Sequence, residues 1–188
     1  MNRENYIKEF FIDIIGQDSA IAFLISALNK EHLATGYLFS GPEGVGKRLT
    51  ANRFIESLIS LHSQGKFIRK RIENHNHPDL LWIEPTYTHQ GNLITKSNAK
   101  KEKHSFRTLP QIRLEQIKDV KRFLFRQAVE SGFNIIVIEN IESINESASN
   151  ALLKTLEEPN NGIFILTTER PESILSTILS RCQLINFN

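Results

Sequence analysis

The feature that most restricts the fold of this chain of 188 residues is a glycine-rich heptapeptide between two apolar segments. It reads GPEGVGK and matches the phosphate-binding loop (P-loop) pattern through its lysine. Its residues are Gly41, Pro42, Glu43, Gly44, Val45, Gly46 and Lys47. Glycines let backbone N–H groups turn inward around a phosphate, and the start of the next helix adds favourable partial charge. The heptapeptide therefore predicts a buried strand, a tight turn with a candidate nucleotide-phosphate site, and a helix.

The position after the lysine departs from the pattern. Arg48 stands where a Ser or Thr hydroxyl ordinarily holds Mg²⁺, and a guanidinium cannot ligate a metal. We therefore expect no Mg²⁺ at this loop. Two hypotheses stay open for the loop itself. It is either an ATP pocket, in which Lys47 meets the outer phosphates, or a glycine turn that serves strand–helix packing alone.

Hydrolysis of a nucleotide also requires acidic side chains at the end of a neighbouring buried strand. The most apolar tetrapeptide, residues 135–138, is followed by Glu139 and Asn140. Glu139 is a candidate for a water-mediated metal contact in the nucleotide site, and the alternative is a solvated residue beyond the strand. Asn140 stands where a water-activating carboxylate is expected, and an amide lacks the basicity for that role. We predict that this chain does not hydrolyse ATP.

Short apolar runs alternate with amphipathic segments along the whole chain. Strands are predicted at 37–39, 80–83, 135–138, 162–168 and 184–187, and helices at 14–29, 47–61, 112–129, 147–158 and 171–180. This alternation predicts one α/β domain over residues 1–188, with a parallel sheet flanked by helices. Two polar stretches interrupt it: a surface excursion at 63–78, and an insertion or mobile hairpin at 86–110.

Composition excludes several classes of protein. The formal net charge of +2 does not by itself indicate nucleic-acid binding. The single cysteine, Cys182, excludes an internal disulfide and a four-cysteine metal site. No apolar run has the length of a membrane span, and the N-terminus lacks the apolar core of a signal peptide. We expect a cytoplasmic protein.

Three segments carry a resemblance to a known family. Residues 150–159, NALLKTLEEP, resemble the signature of the clamp-loader (AAA+) subunits of bacterial DNA polymerase III. The SRC tripeptide at 180–182 and the IIGQ segment at 14–17 are similar to motifs of the same family. The segment HPDLLWIEP at 77–85, and the weakened hydrolysis residues, resemble the delta-prime branch more than gamma/tau. Residues 87–91 and 110–117 look most like its cyanobacterial members.

The resemblance implies a P-loop ATPase (AAA+) domain within the polymerase holoenzyme that neither polymerises DNA nor hydrolyses ATP. Arg181 of the SRC tripeptide would act as an arginine finger, reaching the γ-phosphate held by a neighbouring subunit. Thr168, beside Thr167 at the end of a strand, would supply a sensor hydroxyl in the nucleotide site. The implied partners are the gamma/tau and delta subunits, the sliding clamp, and primer-template DNA through the assembled complex.

Two alternatives stay open. The first is an ATP-hydrolysing motor subunit of the gamma/tau type, which the intact Lys47 supports and Arg48 and Asn140 oppose. The second is a small-molecule P-loop kinase, which leaves the segments at 150–159 and 180–182 without a role.

The chain departs from the resemblance in two regions. Most relatives carry a four-cysteine zinc module before the HPDL segment, whereas residues 63–77 contain no cysteine. We predict no zinc, and we expect His62, His75 and His77 to be solvated. The family's helical lid and collar are expected to lie outside this sequence. The basic residues of the second polar stretch are interpreted as solvated charges without DNA contact; they are Lys96, Lys100, Lys101, Lys103 and Arg107.

Overall fold

A parallel sheet of five strands forms the centre of the protein. The computed structural model describes residues 2–30, 32–63, 67–101 and 106–188, with the side chains of residues 96, 97 and 100 excepted. The strands are β1 (Gly36–Ser40), β2 (Leu80–Ile83), β3 (Thr86–His89), β4 (Asn92–Thr95), β5 (Asn134–Ile138), β6 (Gly162–Thr168) and β7 (Gln183–Asn186). The helices are α1 (Arg3–Glu9), α2 (Asp18–Asn29), α3 (Lys47–His62), α4 (Ile68–Glu73), α5 (Lys96–Lys101), α6 (Leu114–Leu124), α7 (Glu146–Glu157) and α8 (Ser176–Leu179). Short 3₁₀ turns lie at Ile141–Ser143 and Pro171–Ser173.

The sheet has the strand order β2-β5-β6-β1-β7, and every neighbouring pair is parallel. Strands β1, β5 and β6 are buried at every residue, as expected for a parallel sheet covered on both faces. Tyr37 and Phe39 pack with α1 to α4, whereas Leu38 packs with α6 to α8. The predicted α/β class and its parallel sheet are confirmed.

The prediction of a surface excursion at 63–78 was wrong for its second half. Residues 68–73 form α4, and Ile68 and Ile72, one helical turn apart, are buried against α3. Burial of an isoleucine side chain stabilises a fold by about 1.5–3 kcal/mol, and Arg69 and Lys70 between the two isoleucines stay exposed to solvent. Lys66, a basic residue in the first half of this polar stretch, lies outside the described residues.

The second polar stretch contains an antiparallel hairpin of β3 and β4, followed by α5. Gln90 and Gly91 between the strands both have positive φ, as a two-residue hairpin turn requires. Backbone hydrogen bonds between Thr86 and Gln111 join the two ends of the stretch. Residues 86–95 therefore form the predicted hairpin. Lys103, from the same polar stretch, lies outside the described residues.

Several predicted helix boundaries shift. The predicted helix at 14–29 begins at Asp18, because Gly16 has a φ of +79° and interrupts it. The predicted helix at 112–129 is limited to α6, and the one at 171–180 divides into a 3₁₀ turn and α8. Helix α1 was not predicted; its Ile7 is fully buried in the core.

The segment before β2 is fixed by a buried carboxylate. Asp79 accepts hydrogen bonds from the backbone N–H groups of Val129, Glu130 and Ser131 at 2.7, 2.7 and 2.8 Å, and from the Ser131 hydroxyl at 3.0 Å. Burial alone would raise the pKa of Asp79, but these donors hold it below its usual value. The aspartate of the HPDL segment thus anchors the loop that leads into β5.

Of the three histidines expected to be solvated, His62 and His75 are exposed, whereas His77 is buried. His77 is 4% exposed, and its Nε2 lies 3.4 Å from a Glu130 carboxylate oxygen that also pairs with Arg71. The His62 ring contacts Phe133 edge-on, and the His75 ring stacks on Trp82. A contact with Glu130, which is distant in the chain and which the local polar composition does not reveal, helps to enclose His77.

We expect stability to fall on mild acidification because of His77. Burial, followed by the nearby Arg71, lowers the pKa of His77 below its usual value. Between neutral pH and the pKa of an unfolded histidine at about 6.5, the unfolded chain begins to bind a proton that the folded chain resists. The free energy of unfolding should decrease as pH falls through this range and below it. His77→Gln should lose less stability over the same range, measured by denaturant unfolding at a series of pH values. Exposed His32 provides the control: a His32→Gln curve that flattens equally would contradict the assignment.

Candidate functional site

The P-loop lies at the carboxyl-terminal edge of the sheet, where parallel strands place ligand sites. A cavity of about 650 Å³ opens beside it. Its walls come from the P-loop and α3, the ends of β2, β5 and β6, and the segment before α6. The lining residues are Glu43, Gly44, Gly46, Lys47, Arg48, Leu49, Glu84, Pro85, Pro110, Glu139, Asn140, Thr167 and Glu169. The cavity thus brings together predicted residues of the P-loop, which follows β1, and Glu139, which follows β5. The other predicted residues of the nucleotide site, Gly41, Pro42, Val45 and Thr168, are not among its lining residues.

The P-loop itself has the expected backbone. Gly44 and Gly46 have φ values of +85° and +96°, which favour glycine. At Gly41 a side chain would collide with the backbone carbonyl of Phe187. Lys47 donates from Nζ to the carbonyl oxygens of Gly41 and Pro42 at 2.5 and 2.6 Å. Burial lowers the pKa of Lys47, against the opposing effect of nearby glutamates.

Gln17 of the IIGQ segment holds the P-loop from outside the cavity. Its side-chain N–H donates to the carbonyl of Val45 at 3.2 Å and to the carbonyl of Asn188 at 2.6 Å, and its oxygen accepts from the Asn188 N–H at 3.3 Å. Gln17 is 6% exposed, so these bonds form in a largely dry environment. The predicted P-loop residue Val45 therefore turns away from the cavity and contributes its backbone to this bridge.

Arg48 and Glu139 form an ion pair at the place where the P-loop pattern holds Mg²⁺. Arg48 Nη1 lies 3.4 Å from Glu139 Oε1, and the Trp82 N–H donates to the same oxygen at 3.0 Å. Burial raises the pKa of Glu139, while Arg48 opposes the shift. Glu139 is therefore not the freely solvated residue considered from the sequence, and its part in a nucleotide site stays a prediction. The residues at the usual Mg²⁺ position do not fit the ion, because Arg48 stands in place of the hydroxyl and its guanidinium faces Glu139.

Asn140 adopts a left-handed backbone conformation, with a φ of +49°. Asparagine tolerates this conformation better than most residues, which gives the position a structural reason. Its N–H donates to the Thr167 hydroxyl at 3.1 Å. Thr167, and not Thr168, lines the cavity, since successive side chains of a strand point to opposite faces. The Thr168 hydroxyl accepts instead from the N–H of Arg170 at 3.0 Å, and its sensor role stays a prediction.

Arg181 lies apart from this cavity, after α8. Its guanidinium donates to a Glu157 carboxylate oxygen at 2.6 Å and to the Thr177 carbonyl at 2.8 Å. The segments at 150–159 and 180–182 thus meet in one ion pair, with the Arg181 side chain 33% exposed. Cys182 packs against Gly36, and a side chain at position 36 would collide with the Cys182 sulfur. Burial raises the pKa of the Cys182 thiol to about 11.

The remaining predictions concern metals, DNA and membranes. No three His, Cys, Asp or Glu residues in the described ranges are grouped as a metal site, and the absence of zinc stays a prediction. Lys101 and Arg107 are exposed, whereas Lys103 and the side chains of Lys96 and Lys100 lie outside the described part of the chain. No helix within the described ranges is both long and apolar enough to cross a bilayer.

Two residues of the site were missed by the sequence analysis. Trp82 was treated only as part of a strand, and His75 only as a solvated residue of a polar stretch. Trp82 is the single tryptophan of the chain, and its indole N–H requires a partner when partly buried. That requirement was the one available signal, because the partner, Glu139, is 57 residues away in the sequence.

Comparison with known proteins gives consistent relatives. Residues 16–188 match a family model described as "DNA polymerase III, delta subunit". DNA polymerase III subunit delta' of Bacillus subtilis is 30% identical over 177 residues, covering 91% of this chain and 47% of that protein. Subunit tau of the same organism is 29% identical over 184 residues, covering 94% of this chain and 29% of that protein. The chain spans less than half the length of each of these relatives.

Solved structures show the same fold. A DNA polymerase III gamma subunit-related protein of Thermotoga maritima superposes with a TM-score of 0.54 at 20% identity, over 88% of this chain and 45% of that one. The RuvB Holliday junction branch migration motor of the same organism gives 0.52 at 15% identity, over 93% and 46%. At these identities the likeness establishes the fold alone.

Replacing Gln17 tests its bridging role. Gln17→Ala removes an acceptor and a donor that satisfy backbone groups of Val45 and Asn188, so we expect the free energy of unfolding to fall by about 1–3 kcal/mol. Denaturant unfolding measures the change. The matched control is Gln127→Ala, because Gln127 is exposed and should change stability little. Equal effects of the two substitutions would contradict the bridge.

Proposed function

Because this chain belongs to the DNA polymerase III delta subunit family, we propose that it is a structural clamp-loader subunit that helps load the sliding clamp onto primed DNA. Its own P-loop does not hydrolyse ATP, and Arg181 acts in an ATP site of a neighbouring gamma/tau subunit. The other proposed partners are the delta subunit, the clamp, and DNA through the assembled complex. The proposal includes a cytoplasmic location, and it assigns neither zinc nor Mg²⁺ to this chain.

The observation that carries the proposal is the contrast between the two sites. In the P-loop cavity, Arg48 occupies the metal position and Asn140 replaces the carboxylate that would activate water. Hydrolysis in P-loop enzymes depends on both functions. Arg181, in contrast, lies after α8 and outside the lining of that cavity. A guanidinium placed there is available to a phosphate bound by another chain.

The position of Arg181 fits a finger in a further respect. Its partner Glu157 is half-exposed, and pairs of this kind contribute only about 0–1 kcal/mol. A guanidinium held so weakly can leave the carboxylate for a phosphate that carries more negative charge. The hydrogen bond to the Thr177 carbonyl keeps the side chain near the end of α8 in the meantime.

A motor subunit of the gamma/tau type is the second candidate. The intact Lys47, with the expected P-loop backbone around it, favours this alternative. It requires that this chain's own P-loop hydrolyse ATP, whereas the proposed structural role requires that it does not. Because a neighbour's arginine completes a site of this kind, Lys47→Ala in the reconstituted loader separates the two: the ATPase rate falls only if this chain is a motor.

Arg181→Ala should lower the ATPase rate of the reconstituted loader. The ATP site that this residue completes would lose the cation that stabilises charge on the transferred phosphate, an effect of up to about 10³-fold or more at that site. Single-turnover hydrolysis by the assembled complex measures the loss, and circular dichroism verifies folding. Arg122→Ala, at an exposed arginine of α6 paired with Asp119, is the matched control. An unchanged rate in Arg181→Ala would exclude the finger.

Glu157→Gln should release Arg181 without unfolding the protein. Because the exposed pair is worth at most about 1 kcal/mol, we expect ATP turnover by the loader to rise by no more than about fivefold. Glu158→Gln, at the adjacent exposed position, should leave turnover unchanged. A decrease in Glu157→Gln would show that Glu157 orients the finger for reaction, in place of holding it at rest.

A further inference from the structure

We propose that the guanidinium of Arg48 takes the place of the metal ion, and that this one side chain closes the P-loop to Mg²⁺-nucleotides. The loop keeps its lysine and its glycine backbone. What prevents an ordinary Mg²⁺-nucleotide site is therefore a cation that belongs to the protein itself.

The geometry of Arg48 supports this substitution. Arg48 is the second residue of α3, immediately after the P-loop lysine, and its side chain reaches across the cavity to Glu139 at the end of β5. These are the two positions from which a P-loop protein offers a hydroxyl and a carboxylate to Mg²⁺. Here Arg48 supplies a positive charge and Glu139 neutralises it, with 3.4 Å between Arg48 Nη1 and Glu139 Oε1.

Arg48 is held in this position from several sides. Its guanidinium carbon lies 5.1 Å from the centre of the Trp82 ring, and its Nη2 lies 3.1 Å from His75 Nε2. The His75 ring stacks on Trp82 at 4.4 Å, and the Trp82 N–H bonds Glu139. The four side chains come from α3, the loop after α4, β2 and the end of β5. Their mutual contacts distinguish Arg48 from a freely moving surface arginine, although half of its side chain is exposed.

The charges around the cavity oppose both forms of a nucleotide. Among the described lining residues, Glu43, Glu84, Glu139 and Glu169 outnumber the cations Lys47 and Arg48. A bare triphosphate meets this surplus of carboxylates, whereas a triphosphate with Mg²⁺ would bring a dication against the guanidinium. Like charges at contact distance repel by about 1 kcal/mol even in water, and by more in a partly enclosed site.

Replacing Arg48 with threonine should reverse the exclusion. The hydroxyl would restore a metal ligand, and Glu139 would be free to take part in metal binding. Lys47 and the glycines that would receive the phosphates remain in place. The substitution therefore tests whether Arg48 alone is responsible, since no other part of the loop changes.

Trp82 provides a direct measurement, because it is the one tryptophan of the chain and contacts both Arg48 and Glu139. Its fluorescence is followed while ATP is added, with MgCl₂ or with EDTA, to the wild type and to Arg48→Thr. Calorimetry under the same conditions gives an independent affinity. In the wild type we expect ATP affinity to be no higher with MgCl₂ than with EDTA. In Arg48→Thr we expect Mg²⁺ to increase ATP affinity by about tenfold or more, which is about 1.4 kcal/mol.

Two outcomes would overturn the proposal. One is a wild-type protein whose ATP affinity rises with Mg²⁺, because the metal would then coexist with Arg48. The other is a folded Arg48→Thr protein that gains nothing from Mg²⁺, because another feature would then close the loop. Arg48→Ser provides a second variant if the first does not fold, and Arg122→Thr controls for the loss of one arginine. None of these measurements involves Arg181, so their result is independent of the proposed finger.

Discussion

The parallel pairing of β1 with β6 on one side and β7 on the other is the constraint on which the site depends. β1 ends at Ser40, and the chain must reverse at once into the P-loop. The Gly41 N–H bonds the Thr168 carbonyl at 3.1 Å, and the Phe187 N–H bonds the Ser40 carbonyl at 2.7 Å. The loop is thus fixed by both neighbouring strands, and the close approach of Phe187 leaves no space for a side chain at Gly41. Its shape is therefore tied to the pairing of the sheet.

Two arginines of this fold, Arg48 and Arg181, have opposite surroundings. The contrast shows how one domain can keep a phosphate-binding loop without the metal-binding hydroxyl and the water-activating carboxylate of P-loop hydrolases. Arg48 is directed into its own cavity and is held by a carboxylate, an indole and an imidazole. Arg181 is held by one half-exposed carboxylate and one carbonyl at the end of a short helix. The first arrangement satisfies the cation within the chain. The second lies outside that cavity and leaves the Arg181 side chain partly exposed.

The sequence was informative where a structure depends on local pattern. The buried strands are short apolar runs, and the P-loop is a fixed spacing of glycines before a lysine, so both were predicted. The predictions were wrong where distant residues decide. His77 lies in a polar stretch but is enclosed through the loop at 129–131. α4 forms because Ile68 and Ile72 find α3. The meeting of Arg48, His75, Trp82 and Glu139 depends on strand order, which no local spacing reveals. Thr167 lines the cavity in place of Thr168 because neighbouring side chains of a strand point to opposite faces.

The pairing of β1 also bears on how the protein forms during synthesis. This strand emerges early from the ribosome, yet both of its partners in the sheet, β6 and β7, belong to the last quarter of the chain. Contacts between residues far apart in sequence form late and slow folding. Until β6 is made, the apolar side chains of β1 have no sheet to join, although α2 and α3 can already cover Tyr37 and Phe39. The P-loop is therefore synthesised before the strands that shape it, and a growing chain exposes an unpaired strand edge until β6 has been made.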